Sequence, residues 1–63
     1  MTKYDEYSEA YKRNAERMAI LKAIIEAAKN RGDKETARKH RAEYTDLKAE
    51  IDAKAFGVIA EMN

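Results

Sequence analysis

The chain has no cysteine, no proline and no tryptophan among its 63 residues. Without cysteine, neither a disulfide nor a thiolate zinc site can brace the fold. Without proline, nothing in the sequence forces a helix to break. Glycine occurs only at Gly32 and Gly57, so few positions invite a sharp turn. Ser8 is the only serine and His40 the only histidine, which leaves nucleophilic catalysis little to work with. The sequence carries no glycine-rich phosphate loop and no His-Glu-x-x-His pattern. No apolar run approaches the ~20 residues needed to span a bilayer. The N-terminal stretch MTKYDEYSEA is polar and lacks a signal-peptide apolar region. Together these absences predict a cytoplasmic, non-enzymatic protein with no catalytic or metal-binding residues, no cofactor and no place in the membrane.

What is present is charge. Thirteen basic and twelve acidic residues make up 40% of the chain and leave a net charge of +1. The mean hydropathy of −0.86 belongs to a surface on which both signs are interspersed. Such a balance gives no general attraction to nucleic acid or to anionic lipid. The length permits one domain, residues 1–63, with a small core. A chain of this size buries only about 60% of the surface it exposes unfolded, so it needs good helix packing or a partner chain.

The apolar spacing is helical. Tyr4, Tyr7, Tyr11, Asn14, Met18, Leu21, Ile25 and Ala28 advance in alternating steps of three and four. Thr2 with Asp5 forms a capping box before this stripe, and Asn30-Arg31-Gly32 reads as its stop. Arg31-Gly32-Asp33 also spells an extracellular adhesion tripeptide, but a helix stop followed by a helix start accounts for it. Asp33 caps the next helix, with Glu35 in its first turn. There Ala37, His40, Tyr44, Leu47, Ile51, Ala55, Val58 and Met62 share one face. The prediction is an all-α, antiparallel helical hairpin: a helix over about 3–30, a turn over about 30–33 and a helix over about 34–60. Gly57 falls inside the second helix and costs it about 1 kcal/mol relative to alanine.

Two helices facing each other leave apolar residues over. Ile20 and Ile24 widen the first stripe, and Phe56 points away from the second, with Ile59 beside it. These four residues are the candidate partner or dimer surface. Covering them calls for a homodimer of hairpins forming a four-helix bundle, or for docking on an unidentified protein. Asn14, polar within the first seam, is expected to set register or to lie in water beyond the helix overlap. The tyrosine row is expected to be core at a partly wet bundle end rather than a base-stacking platform, because Asp5, Glu6 and Glu9 beside it would repel phosphate.

The run Arg38-Lys39-His40-Arg41 disperses once wound on a helix. Lys39 falls between Glu35 and Glu43 at i±4, where both can pair with it. His40 faces the core, and Glu43 and Tyr44 beside it make no complete metal site. Arg38 and Arg41 remain, extended by Lys34 and Lys48 into a basic contact row. This row carries the alternative function, binding of RNA or DNA by a small dimeric regulator.

From MTKYDEYSEAYKRNAERM through KNRGDKETARKH to FGVIAEMN, the chain resembles the small early proteins of lambda-like bacteriophages encoded between the exonuclease and excisionase genes. That resemblance implies a protein made early in infection that acts in the bacterial cytoplasm. It implies a role in favouring lytic over lysogenic development or in modulating the host cell, through contact with a host or phage protein. It brings no catalytic or ligand-binding residues. The hairpin is also similar in architecture to a plasmid RNA-binding repressor that forms a dimeric four-helix bundle, with no matching sequence.

Overall fold

The computed structural model describes residues 2–62; the end positions 1 and 63 of the expected domain lie outside them. Two helices, α1 (Lys3–Asn30) and α2 (Lys34–Met62), pack along their whole length as an antiparallel hairpin about 46 Å long. Both starts and the turn agree with the sequence-based boundaries. The second helix continues to Met62, past the end expected near 60.

Local chemistry sets the ends. The Thr2 hydroxyl accepts from the Asp5 N–H at 3.1 Å, and the Asp5 carboxylate accepts from the Thr2 N–H at 3.2 Å. This is the reciprocal capping box, and it satisfies a donor that the first turn leaves free. At the other end of α1, Gly32 takes φ +76°, a left-handed conformation that costs a side-chain-bearing residue about 1 kcal/mol or more. With Gly32 so placed, its N–H donates to the Lys29 carbonyl at 3.0 Å and the Asp33 N–H to the Ala28 carbonyl at 2.8 Å. That paired pattern closes α1 and reverses the chain. Asp33 then begins α2, its carboxylate accepting from the Thr36 N–H at 3.1 Å. The Thr36 side chain first, and this backbone bond second, hold the Asp33 carboxyl below its ordinary value.

The seam is narrow. Ala10, Leu21 and Ala28 of α1 and Ala37 and Ile51 of α2 are its buried apolar residues, and Leu21 is the largest side chain fully enclosed. Three of these five are alanines, whose small side chains let the helix surfaces approach closely. This corrects the expected tyrosine core. Tyr7 turns toward α2, but Tyr4 and Tyr11 are 62% and 52% exposed, and Ala10 occupies the seam position beside Tyr11. A tyrosine ring is too large for so close an approach, so the inner line of α1 is rotated toward Ala10 and Ile24. Tyr4, Tyr7 and Tyr11 still adjoin in sequence, their rings tilted to one another with centroids 6.4 and 6.2 Å apart.

Asn14 lies in the seam, almost fully buried, and its Nδ2 donates to the Leu47 carbonyl of α2 at 3.3 Å. The expectation that it fixes register gains a partner, and the wet alternative is excluded. Gly57 is helical throughout, and a methyl group there would meet only the Lys3 side chain at an ordinary 3.6 Å. Its place is therefore neither a frayed end nor a close backbone approach.

Candidate interaction surface

The two long flanks of the hairpin differ in chemistry. On one flank, charges pair across the helices. Glu6 meets Lys54 at 3.9 Å, Arg13 meets Glu50, and Arg17 grips both carboxylate oxygens of Glu43 at 2.8 and 3.1 Å. The Arg17 hydrogen bond holds the Glu43 carboxyl below the usual carboxylate range. Asn14 first and Arg13 second do the same for Glu50. Lys39, expected to have both Glu35 and Glu43 in reach, pairs with Glu35 at 3.5 Å, while Glu43 pairs with Arg17.

The other flank is a long shallow groove. Its middle is lined by Tyr11, Ala15, Met18, Tyr44 and Ile51. Lys22 and Tyr44 carry it on to Ile25, Thr45 and Arg41. Arg41 in turn leads to Lys29, Gly32, Lys34, Ala37 and Arg38 beside the turn. The floor is apolar along its length, and the groove changes character only at its rim. Toward the open end the lining is aromatic and aliphatic, with Lys22 at its edge and the Lys48–Asp52 ion pair beyond Tyr44. Toward the turn the rim is cationic, with Lys22 and Lys29 on α1 facing Lys34, Arg38 and Arg41 on α2. Among the described residues none of these five cations has a carboxylate within salt-bridge distance, and Glu26 is the one acidic side chain in the lining. A net charge of +1 for the chain thus conceals one balanced flank and one basic half-groove.

Against this geometry the residues singled out from sequence fall into separate places. Lys34, Arg38 and Arg41 do share one wall, as their spacing implied. Lys48 does not line that groove, and pairs with Asp52 at 3.5 Å. Lys22 and Lys29, the opposite wall, escaped the sequence reading, because only the rotation of α1 against α2 brings them across from Arg41 and Lys34. Phe56 is 70% exposed and shares a small hollow with Ile59, Ala55 and Asp52 near the open end. Ile20 and Ile24 lie on the flank of Arg17, and Ile20 sits roughly 25 Å along the hairpin from Phe56 at 1.5 Å per residue. The four therefore do not form one patch.

His40 is half-buried beside the seam. Its Nδ1 lies 2.7 Å from the Thr36 carbonyl oxygen, which can only accept, so the proton sits on that nitrogen. Among the described residues no cluster of three His, Cys, Asp or Glu side chains is placed to hold a metal ion. No helix among them is long and apolar enough to cross a membrane.

No family profile, curated protein or solved structure matches the chain. The class that the two packed helices define is an all-α helical hairpin.

Proposed function

We propose that this chain is a non-enzymatic interaction protein that pairs with a second copy of itself and binds another protein. The observation that carries the reading is the disproportion between core and surface. Among the described residues Leu21 is the one large side chain fully enclosed, while Tyr4, Tyr11, Ile20, Phe56, Ile59 and Met62 are exposed. A hairpin of this size gains little from so thin a seam, and a second hairpin laid on the groove would bury Tyr11 of these together with Met18 and Tyr44. The charge pattern favours the open-end half for that contact. Covering Tyr11, Met18, Tyr44 and Ile51 meets only Lys22 of the unpaired cations, whereas overlap at the turn end would set the rest of the basic rim against its like.

The resemblance to early proteins of lambda-like phages supplies the setting: a bacterial cytoplasm early in infection, where contact with a host or phage protein favours lytic development or modulates the host cell. A mixture of isotope-labelled and unlabelled chains tests the pairing. Contacts between labelled and unlabelled copies are expected at Tyr11, Met18 and Tyr44. Their absence at high protein concentration would remove self-association from the account.

The basic rim supports a second reading, binding of RNA or duplex DNA. Five cations without carboxylate partners could contact phosphate, and such binding would weaken steeply as salt is raised. The apolar floor weighs against it, because phosphate and sugar would leave that floor in contact with water.

A further inference from the structure

We infer that the turn-end half of the groove is a docking site for an acidic amphipathic helix of another protein. The inference rests on the protein-binding reading above and names the chemistry of the partner. Three features of the half-groove select it. The first is sign. Lys22, Lys29, Lys34, Arg38 and Arg41 surround it with Glu26 alone opposing them, so an occupant needs negative charge at its edges. The second is the floor. Ala37 is buried, and Ile25 and Tyr44 are half-buried between the two rims, so an occupant also needs an apolar stripe. A helix with Leu or Ile along one face and Glu or Asp on both sides meets the two demands together. A nucleic-acid strand meets only the first.

The third feature is spacing. The α1 rim runs from Lys22 to Lys29 and the α2 rim from Lys34 to Arg41. Each covers two helical turns, or about 10 Å at 1.5 Å per residue. Two such rims on neighbouring helices frame the lane that a third helix occupies when it packs against a pair. Flanking carboxylates of that third helix then face one rim each. A second copy meeting the lane through the same face does not fit it, because it would present the same cations. Tyr44 lies where the two halves of the groove meet, so a second copy can cover the open-end half while an acidic helix lies beside the turn.

The test uses the full chain, labelled with nitrogen-15, and a synthetic peptide of about 18 residues, long enough for five helical turns. The peptide carries leucine on one face and glutamate on both flanks; a control replaces every glutamate by lysine. The expected result is resonance shifts centred on the segments 22–29 and 34–45, with no response to the lysine control. Arg38→Glu combined with Arg41→Glu should weaken binding roughly tenfold or more, since the reversed side chains would set like charges against the peptide's glutamates. The thermal melt and the sedimenting mass of that variant should stay unchanged, which separates this site from the self-association surface. No shift in these segments, or equal binding of the lysine control, would overturn the inference. So would tighter binding of a duplex RNA to the same residues, or loss of self-association in the double variant.

Discussion

The Asn14 side chain donates through Nδ2 to the Leu47 carbonyl at 3.3 Å, tying the inner line of α1 to that of α2 by a polar contact. Leu47 belongs to a helix whose own ladder already uses that carbonyl, so the bond adds a constraint on register more than it satisfies an orphan group. Asn14→Leu is therefore expected to raise the melting temperature while loosening register. Native mass spectrometry should then show more than one assembly and amide spectra should show doubled resonances near the seam. Asn14→Ala, which opens a void and gains no packing, should lower stability by about 1 kcal/mol. A single assembly with Asn14→Leu would remove the register role.

Leu21 contributes more of the core than any other residue. Leu21→Ala should cost about 3 kcal/mol, within the usual range for a fully buried leucine. A fold of this size has little more than that in reserve, so the variant is expected to be largely unfolded by circular dichroism at 37 °C. Leu21→Met, which conserves volume, should stay folded.

The two glycines should respond in opposite senses to the same substitution. Gly57 is helical with room for a methyl group against Lys3, so Gly57→Ala should raise stability by about 0.5–1 kcal/mol. Gly32 sits at φ +76°, where Gly32→Ala should lower stability by about 1 kcal/mol even though nothing crowds the site. Chemical denaturation of both variants checks the pair, and equal signs would contradict the turn geometry.

Acid should destabilise the hairpin through three carboxylates. Asp33, Glu43 and Glu50 titrate below their ordinary values when folded, through Thr36, Arg17, and Asn14 with Arg13. Groups with depressed folded-state values bind protons more readily in the unfolded chain, so their contribution is present above the ordinary range. It is lost as the pH falls through and below about 4. The denaturation midpoint is expected to hold between pH 7 and 5 and to drop toward pH 3. In Glu43→Gln combined with Glu50→Gln that drop should be shallower.

Much of this fold is legible in the residues themselves. Thr2, Asp5, Gly32 and Asp33 are chemically specific signals, each used as its residue type implies, and they place both helix starts and the turn. The rotation of one helix against the other is not legible. Tyr11 and Ala10 both satisfy a period of 3.6 residues, and hydrophobicity favours the tyrosine. Close approach of the two helices favours the alanine, and packing decides. The same rotation puts Arg13 and Arg17 across from Glu50 and Glu43, and Lys22 and Lys29 across from Arg41 and Lys34. Half of the basic rim is visible as a row on one helix, and the other half depends on geometry between helices. The apolar residues Phe56 and Ile20 look like one surplus in sequence, yet lie on different helices and flanks.

Sedimentation equilibrium of the unmodified chain at tens to hundreds of micromolar tests the central claim most directly. Self-association predicts a mass approaching twice 7.2 kDa, and a return toward 7.2 kDa when Met18→Glu places a charge in the open-end half of the groove. A mass of 7.2 kDa at every concentration would contradict it.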